Sequence, residues 1–451
     1  MALSIAAAIA RIKSEVGAWL APEAIYKLCQ AVDYNWRKRV LDPVTTIHLF
    51  LLQILNGNSA CAHVPRLGDV PCTGEAYGQA RSRIPLAVFR GLLKLITDCL
   101  PVSSCDEGRW HGHRTFLIDG SSVSMPDTPA LQRKYGQPGA QAPGCGFPVM
   151  HLMAMFQAAT GFLMSIVSAP YRTHDMSQVG GAHAELQEGD ILVGDRGLCS
   201  FVHLALLSIR GVFGLFRTHQ QQIVNFRSGR RSASRQTRKR GEKGLPSSKW
   251  LKRLGKRDQL VEYSRPRERP KWLTAEEYAA LPEKVVVREL RYSITVPGRR
   301  TREITLSTTL VDPKKYPVAE LAKLYARRWE IETNLKHMKT TLRMDVLHCK
   351  TVDGVEKELT MYALVYNLIR LVMLQASQQQ QVPIERISFV DAARWLAQAM
   401  CGEPPLKLRV NPARPNRVEP RAVKRRAKPH DLLKTPRAEL QKRLKNKAKC
   451  A

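Results

Sequence analysis

Three carboxylates carry the chemistry this sequence offers. Phe116-Leu117-Ile118-Asp119-Gly120 puts Asp119 at the end of a short apolar strand, beside a glycine that lets the chain turn and another group approach closely. Asp190-Ile-Leu-Val-Gly-Asp195-Arg-Gly repeats the device, with Asp195 at the exit of a buried strand. Two strand-end carboxylates in one sheet can converge on one site, although Asp is also common wherever a strand gives way to a turn. Glu332 belongs to a helical run in which Tyr325, Arg328, Glu332 and Lys339 share one stripe about 60° wide, at ~100° per residue. That stripe borders an apolar one, Leu324, Ile331, Leu335, Met338 and Leu342, centred roughly 75° away. It reads equally as a surface face held by an Arg328–Glu332 pair worth ~0.2–0.5 kcal/mol. Three converging carboxylates suit hard cations such as Mg²⁺ or Mn²⁺, and two such ions ~3.5–4 Å apart serve in-line phosphoryl transfer. No G-x-x-x-x-G-K-[ST] loop occurs, so ATP-driven work is unsupported. The neighbouring acids have simpler readings: Asp127 and Asp312 in proline-adjacent turns, Asp190 in a strand-entry turn, Asp175 as a helix N-cap. His174 and His348 read as structural.

The elements that must hold these groups follow from the local patterns. Residues 1–110 read as helical, with apolar runs Ile47–Leu55 and Leu86–Ile96. Within them, Thr73 is an N-cap, Glu75 lies in the first turn and Pro85 is the stop of a short polar helix. Its Gln79, Arg81 and Arg83 are candidates for base edges or phosphates, as in any recognition helix, though many short polar helices carry such residues. From 115 the pattern turns to strands: Thr115–Asp119, Val149–Gln157, Phe162–Ala169, Ile191–Asp195 and Gly211–Phe216, the later ones separated by helical runs Met176–Leu186 and Ser200–Ile209. A meander followed by alternating helix and strand predicts a mixed α/β sheet with helices packed on it. Further on come an antiparallel pair, Arg288–Thr295 and Arg302–Thr309, around Pro297-Gly298, and then helices at Val318–Leu342 and Val355–Leu374.

Charge narrows the partners. The 451 residues hold 71 Lys and Arg against 39 Asp and Glu, a net +32. Residues 225–272 carry 17 basic against 4 acidic groups and residues 407–451 carry 16 against 3, so each block is +13 and the rest of the chain is close to neutral. Such blocks repel themselves and suit arms that lie on nucleic acid, or else a solvated surface. With 44% hydrophobic residues the composition is globular. The best candidate for a membrane span, Tyr362–Met373, is interrupted by Asn367 and Arg370, so no membrane partner is expected. Ala2–Ala10 reads as an amphipathic helix and not as an export signal. The ten cysteines include no C-x-x-C pair and no zinc quartet, which fits reduced thiols in a cytoplasm.

The spacing Tyr325-x₂-Arg328-x₃-Glu332-x₆-Lys339 resembles the Tyr-Arg-Glu-Lys signature of the DDE transposases of bacterial insertion-sequence family four. Thr308-Thr-Leu-Val-Asp312, Tyr316-Pro317, Arg328-Trp-Glu-Ile-Glu332, Lys339-Thr-Thr-Leu and Val355-Glu-Lys-Glu-Leu resemble that family too. So do Leu41-Asp-Pro-Val44, Ala76-Tyr-Gly-Gln-Ala-Arg81, Ile118-Asp-Gly120 and Gly194-Asp-Arg-Gly197, and together they span about residues 40–375. The resemblance implies an α/β fold: a ribonuclease-H-like catalytic core with a β-rich insertion, preceded by an all-α DNA-binding domain. The implied boundaries are 1–110 for the helical DNA-end-binding domain, 111–220 for the first part of the core and 221–310 for the basic insertion. Residues 311–376 are then the core helices with the signature, and 377–451 a helical region with a basic tail.

By the same resemblance Asp119, Asp195 and Glu332 are the catalytic and metal-binding triad, served by Mg²⁺, with Mn²⁺ able to substitute, as two ions. Tyr325, Arg328 and Lys339 hold phosphates beside a base turned out of the duplex. The reaction is nicking, 3′-OH attack leaving a hairpin, hairpin opening and strand transfer, at one site. The stacking Trp usual in the insertion has no obvious counterpart: Trp250 and Trp272 lie far upstream, and the strands nearer the signature offer only Tyr292. The partners implied are double-stranded DNA, both element ends and target, and a second copy of the chain in a homodimer, in a nucleoid-associated cytoplasmic setting. The alternatives are a catalytically silent, transposase-derived basic DNA-binding protein, and an RNA-associated protein that needs only the basic arms.

Overall fold

The computed structural model describes residues 20–99, 108–233, 244–294, 302–398, 407–413 and 433–449. The helix expected at Ala2–Ala10, the Pro297-Gly298 turn, residues 234–243 of the first basic block and residues 414–432 and 450–451 of the second lie outside the described residues. In chain order the principal elements begin with α1 (Pro22–Ala31), α2 (Pro43–Leu55), α3 (Gly74–Arg83) and α4 (Leu86–Cys99). Then come β1 (Thr115–Ser124), α5 (Pro129–Tyr135), β2 (Val149–Gln157), β3 (Leu163–Pro170), β4 (Ile191–Gly194), α6 (Phe201–Ile209) and β5 (Phe213–Arg217). The second half has β6 (Lys249–Gly255), β7 (Asp258–Ser264), α7 (Ala275–Ala280), β8 (Lys284–Ile294) and β9 (Arg302–Thr308). It ends with α8 (Val318–Ala326), α9 (Trp329–Lys336), α10 (Val352–Gln380), α11 (Phe389–Gln398) and α12 (Arg437–Lys449).

The nine strands among the described residues join one mixed sheet in the order β3-β2-β1-β4-β5-β9-β8-β7-β6. β1, β2 and β3 form an antiparallel meander, while β4 runs parallel to both β1 and β5. This half, with helices on its faces, fits a ribonuclease-H-like core. The strands of the 221–310 stretch continue the same sheet, because β9 pairs antiparallel with β5 and β8 with β9. Arg288 of β8 is fully buried and pairs through the Nε–Nη2 edge of its guanidinium with both oxygens of Asp258, at 2.9 and 2.6 Å, while Nη1 donates to the Tyr316 carbonyl at 2.7 Å. It ties the added strands to the segment that leads into α8.

Local rules account for the helix starts. Asp42 caps α2 by accepting from the Thr45 amide at 2.8 Å, with Pro43 at the first position; Thr73 caps α3 by accepting from Ala76. α3 stops where Ile84, ahead of Pro85, goes extended. The helices of residues 20–99 share one buried apolar cluster with α10 and with the inner faces of β1–β5.

Four expectations are corrected. β1 does not turn at Gly120 but continues to Ser124, because β2 goes on pairing with it as far as Val149. The run 176–186 is not one helix but three short helical turns, Asp175–Ser177, Val179–Ala182 and His183–Glu185. The helix expected over Val318–Leu342 breaks between Ala326 and Trp329 and widens into a π-turn at His337–Thr341. Finally, α10 is long and apolar enough to cross a membrane, with 89% of its apolar window buried inside the protein. Asn367 suits that interior place: it donates to the Leu163 carbonyl and accepts from the Leu163 amide, both at 2.9 Å.

Candidate active site

The first two acids are placed by strand register. β1 and β4 run parallel with Ile118 opposite Gly194, and β4 ends there. Asp119 and Asp195 are therefore the next residue on each strand, side by side where β1 outruns its neighbour. Gly194 leaves room for this: a Cβ there would meet the Phe216 ring at 3.0 Å and Leu198 at 3.1 Å. After Asp195 the chain enters a short turn, Arg196–Leu198, closed by the Leu198 amide on the Asp195 carbonyl.

The third acid is delivered by the kink between α8 and α9. The amides of Arg327, Arg328, Glu330 and Ile331 each reach a carbonyl only three residues back, which tightens the turn. Arg328 points from that kink toward β1. Its guanidinium donates to Glu332 at 2.8 Å and lies 3.4 Å from the Asp119 carboxylate, with its side chain only 10% exposed. One cationic group thus bridges two of the three acids. Lys339, in the π-turn, donates to the Ser121 hydroxyl at 3.3 Å, on the same face of β1 as Asp119. Tyr325 is buried one turn ahead of Arg328.

Electrostatics mark the pocket as crowded with negative charge. Burial pushes the Asp119 carboxyl above its ordinary value, and the charges of Asp195 and Glu332 push the same way, against the Gly120 amide (2.9 Å) and Arg328. Burial also raises the Tyr325 phenol, and the Asp195 charge adds to it. Among the described residues, no three His, Cys, Asp or Glu side chains are gathered closely enough to hold a metal ion. The donor set nevertheless fits a hard divalent cation: all oxygen, on adjacent elements, and with an Asp119 charge that Arg328 leaves under-compensated.

"Transposase InsG for insertion sequence element IS4" from Escherichia coli (strain K12) is 22% identical over 376 residues, 81% of this chain and 77% of that protein. "Putative transposase InsZ" of the same strain is 28% identical over 138 residues, covering 30% of this chain and 46% of its own. A cryo-EM structure of a piggyBac transposase synaptic complex with hairpin DNA aligns with 86% of this chain and 79% of its own, at TM-score 0.43 and 8% identity. The family of the transposase DDE domain matches residues 110–368, more than half of the sequence. The chain belongs to the DDE transposases of the IS4 family.

In this IS4-family member the other acids are engaged elsewhere. Asp190 pairs through both oxygens with Arg114, and Asp127 accepts from Gln132 and pairs with Arg437. Asp312 caps its own turn through the amides of Lys314 and Lys315. Asp175 is not the cap expected of it: the His174 ring accepts from the Met176 amide instead. Asp175 pairs with His151 at 2.9 Å, and that bond holds its carboxyl below the ordinary range. The pair sits against Gly120 and Gly197, where it props the Asp195 turn against β1.

On α3 the predicted trio divides. Gln79 and Arg83 are exposed, with Arg83 donating to Gln79 at 3.2 Å. Arg81 is corrected: its guanidinium turns inward to Gln53 at 2.7 Å and Cys349 at 3.3 Å and lies over the Phe50 ring. A side chain turned into that interior contact holds α3 in place. The residue that sequence reasoning passed over is Trp329. It is 61% exposed, with the Arg328 guanidinium 4.9 Å from its ring. The available signal was its position: two residues from Ile331, hence about 160° away from the buried stripe.

Proposed function

We propose that the chain is a Mg²⁺-dependent cut-and-paste transposase that binds the terminal inverted repeats of its element, and that it works as a homodimer pairing two ends. The observation that carries this reading is the Arg328 bridge, since two acids from β1 and α9 already share one cation beside Asp195. Asp119, Asp195 and Glu332 would hold Mg²⁺, or Mn²⁺ in its place, as two ions. When bound, the metal supplies Lewis-acid activation of the attacking oxygen and charge stabilisation at the scissile phosphate.

The chain's own residues do the rest. Arg328 and Lys339, on either side of Glu332, present cationic donors to the DNA backbone, and the Tyr325 phenol stays protonated as a hydrogen-bond donor. Trp329 offers an open ring face to a base turned out of the duplex, the stacking partner that offsets the cost of unstacking. Nicking, hairpin formation, hairpin opening and strand transfer at the one site follow from the family reading, as do a target DNA and a nucleoid-associated cytoplasmic setting. Gln79 and Arg83 on the exposed face of α3 are the proposed contacts to the terminal repeats.

The test replaces Asp119 or Asp195 by Asn, or Glu332 by Gln, and follows cleavage of end-containing DNA with and without Mg²⁺ while end binding is monitored. Each single variant is expected to lose nicking by about three orders of magnitude or more. Nicking retained by any of them rejects the triad. A wild-type chain that binds ends yet never cuts them in Mg²⁺ supports a catalytically silent DNA-binding protein instead.

A further inference from the structure

The segment that joins α1 to α2 is a basic strap clamped at both ends. After α1, Asp33 takes the left-handed conformation (φ 52°), and the chain reverses into Tyr34-Asn-Trp36-Arg37-Lys38-Arg39. Trp36 stacks on Tyr26 of α1 with centroids 5.1 Å apart and planes at 9°, and Tyr34 packs on Trp36 at 6.3 Å. The Tyr26 hydroxyl in turn donates to Asp42, the cap of α2. The aromatic ladder therefore fixes the strap, while Arg37, Lys38 and Arg39 stand exposed, and among the described residues no carboxylate pairs with them. Between this strap and the end of α3 lies a cavity of about 650 Å³. Its floor is apolar, from Leu41, Pro43 and Ile84; its wall is Tyr34 and Trp36; its rim is Arg37, Arg39 and Arg83.

Those three surfaces ask for different things from one ligand. Uncompensated guanidinium groups on a rim call for phosphates. An apolar floor with an aromatic wall calls for a flat, weakly polar body, and phosphates alone would leave it exposed to water. The cavity is concave and within the roughly 300–1,000 Å³ range of small-ligand sites, whereas an intact duplex presents a convex backbone. Asp42 is the acid at the cavity; its oxygens accept from Tyr26 and Thr45, and the three guanidinium groups outnumber it.

We propose that this cavity takes one nucleotide splayed from a single strand of DNA, its base against Tyr34, Trp36 and the apolar floor and its flanking phosphates on Arg37 and Arg39. The proposal rests on the reading of the chain as a DNA-processing enzyme and gives its N-terminal helices a single-strand site besides the duplex contacts of α3.

The test uses the full chain in EDTA with single-stranded oligonucleotides of about 12 nucleotides, in the usual range of single-strand site sizes. One set carries 5-iododeoxyuridine for photocrosslinking and another an abasic position. Crosslinks are expected in the tryptic peptide Leu28–Arg37, which holds both Tyr34 and Trp36. Arg37→Ala with Arg39→Ala should weaken binding at least about tenfold and flatten the salt slope by about 1.4, the value for two phosphate contacts on a single strand. Crosslinks mapping only elsewhere, an abasic strand binding as well as the intact one, or a duplex of equal length competing as well as the single strand would each overturn the proposal. Metal-dependent nicking measured on the same preparation separates the two readings. Nicking without the crosslink removes the nucleotide site alone, and the crosslink without nicking removes the enzyme alone.

Discussion

At the scale of single residues, the site is built around an imbalance of charge. Asp119 is a carboxylate that burial disfavours and that two further acids disfavour again, with the Gly120 amide and then Arg328 as its relief. In metal-free protein the native state therefore binds a proton at Asp119 above the ordinary value of 3.8, where the unfolded chain has released it. The sign follows from linkage: stability falls as pH rises from that value through the raised one, and the deficit persists at neutral pH. Asp119→Asn, which cannot ionise, is expected to melt higher than wild type at about pH 7 in EDTA, with the difference closing below about pH 4. Thermal melts across that range check it, and added Mg²⁺ should raise the melting temperature of wild type but not of the variant. Trp329 makes the complementary case, because its ring is exposed and holds up nothing in the core. Trp329→Ala is expected to change stability by no more than about 0.5 kcal/mol. It should nevertheless cut end cleavage about tenfold and remove the signal of a 2-aminopurine at the turned-out base, the loss expected of a stacking partner.

At the scale of elements, the site depends on where strands and helices stop. Asp119 and Asp195 meet because β4 ends at Gly194 while β1 runs on, and the two glycines flanking Asp195 have unequal room. A methyl at Gly194 collides with Phe216 and Leu198 near 3.0 Å, while one at Gly197 meets nothing nearer than Asp175 at 4.0 Å. Gly194→Ala is expected to cost about 1–3 kcal/mol by overpacking and to lower cleavage with it. Gly197→Ala should melt within a degree or so of wild type, and denaturant titration of the pair measures the contrast. These stopping points also explain what was legible. The apolar runs ending in Asp119 and Asp195 were plain in the sequence, because a buried strand followed by Gly and Asp is a local pattern. That β1 continues past Gly120 was not, since it is set by pairing with β2, some 30 residues on. The stripe of Tyr325, Arg328, Glu332 and Lys339 came from an ideal helix, yet the real one tightens at Arg328 and widens at Lys339. Those irregularities are invisible to a 3.6-residue period. Arg81 misled for a similar reason: nothing in its own helix shows that Gln53 and Cys349 wait on the inner side.

At the scale of the whole molecule, a net +32 must be balanced by something, and α12, the described helix of the C-terminal block, is anchored at its first residue. Arg437 pairs with Asp127 at 3.1 Å, donates to the Cys145 carbonyl and lies over the Phe147 ring at 4.2 Å, so α12 starts from the loop that follows β1. Asp127 is only eight positions along the chain from Asp119, which puts the anchor close in sequence to β1. A basic helix tethered there has two physical fates. Solvated, its charges contribute nothing to DNA affinity beyond a screened background field. Laid on DNA, each neutralised phosphate releases counterions and adds about 0.9 to the slope of log affinity against log salt. Replacing Lys442, Arg443, Lys445 and Lys447 together by Gln leaves Arg437 and its anchor in place. If the helix lies on DNA, the slope for end-containing duplex should flatten by up to about 3.6 and affinity at low salt should fall steeply. An unchanged slope, measured by fluorescence anisotropy from about 50 to 200 mM salt, would assign the helix to solvent and leave neutralisation of DNA to the basic residues of the 225–272 block.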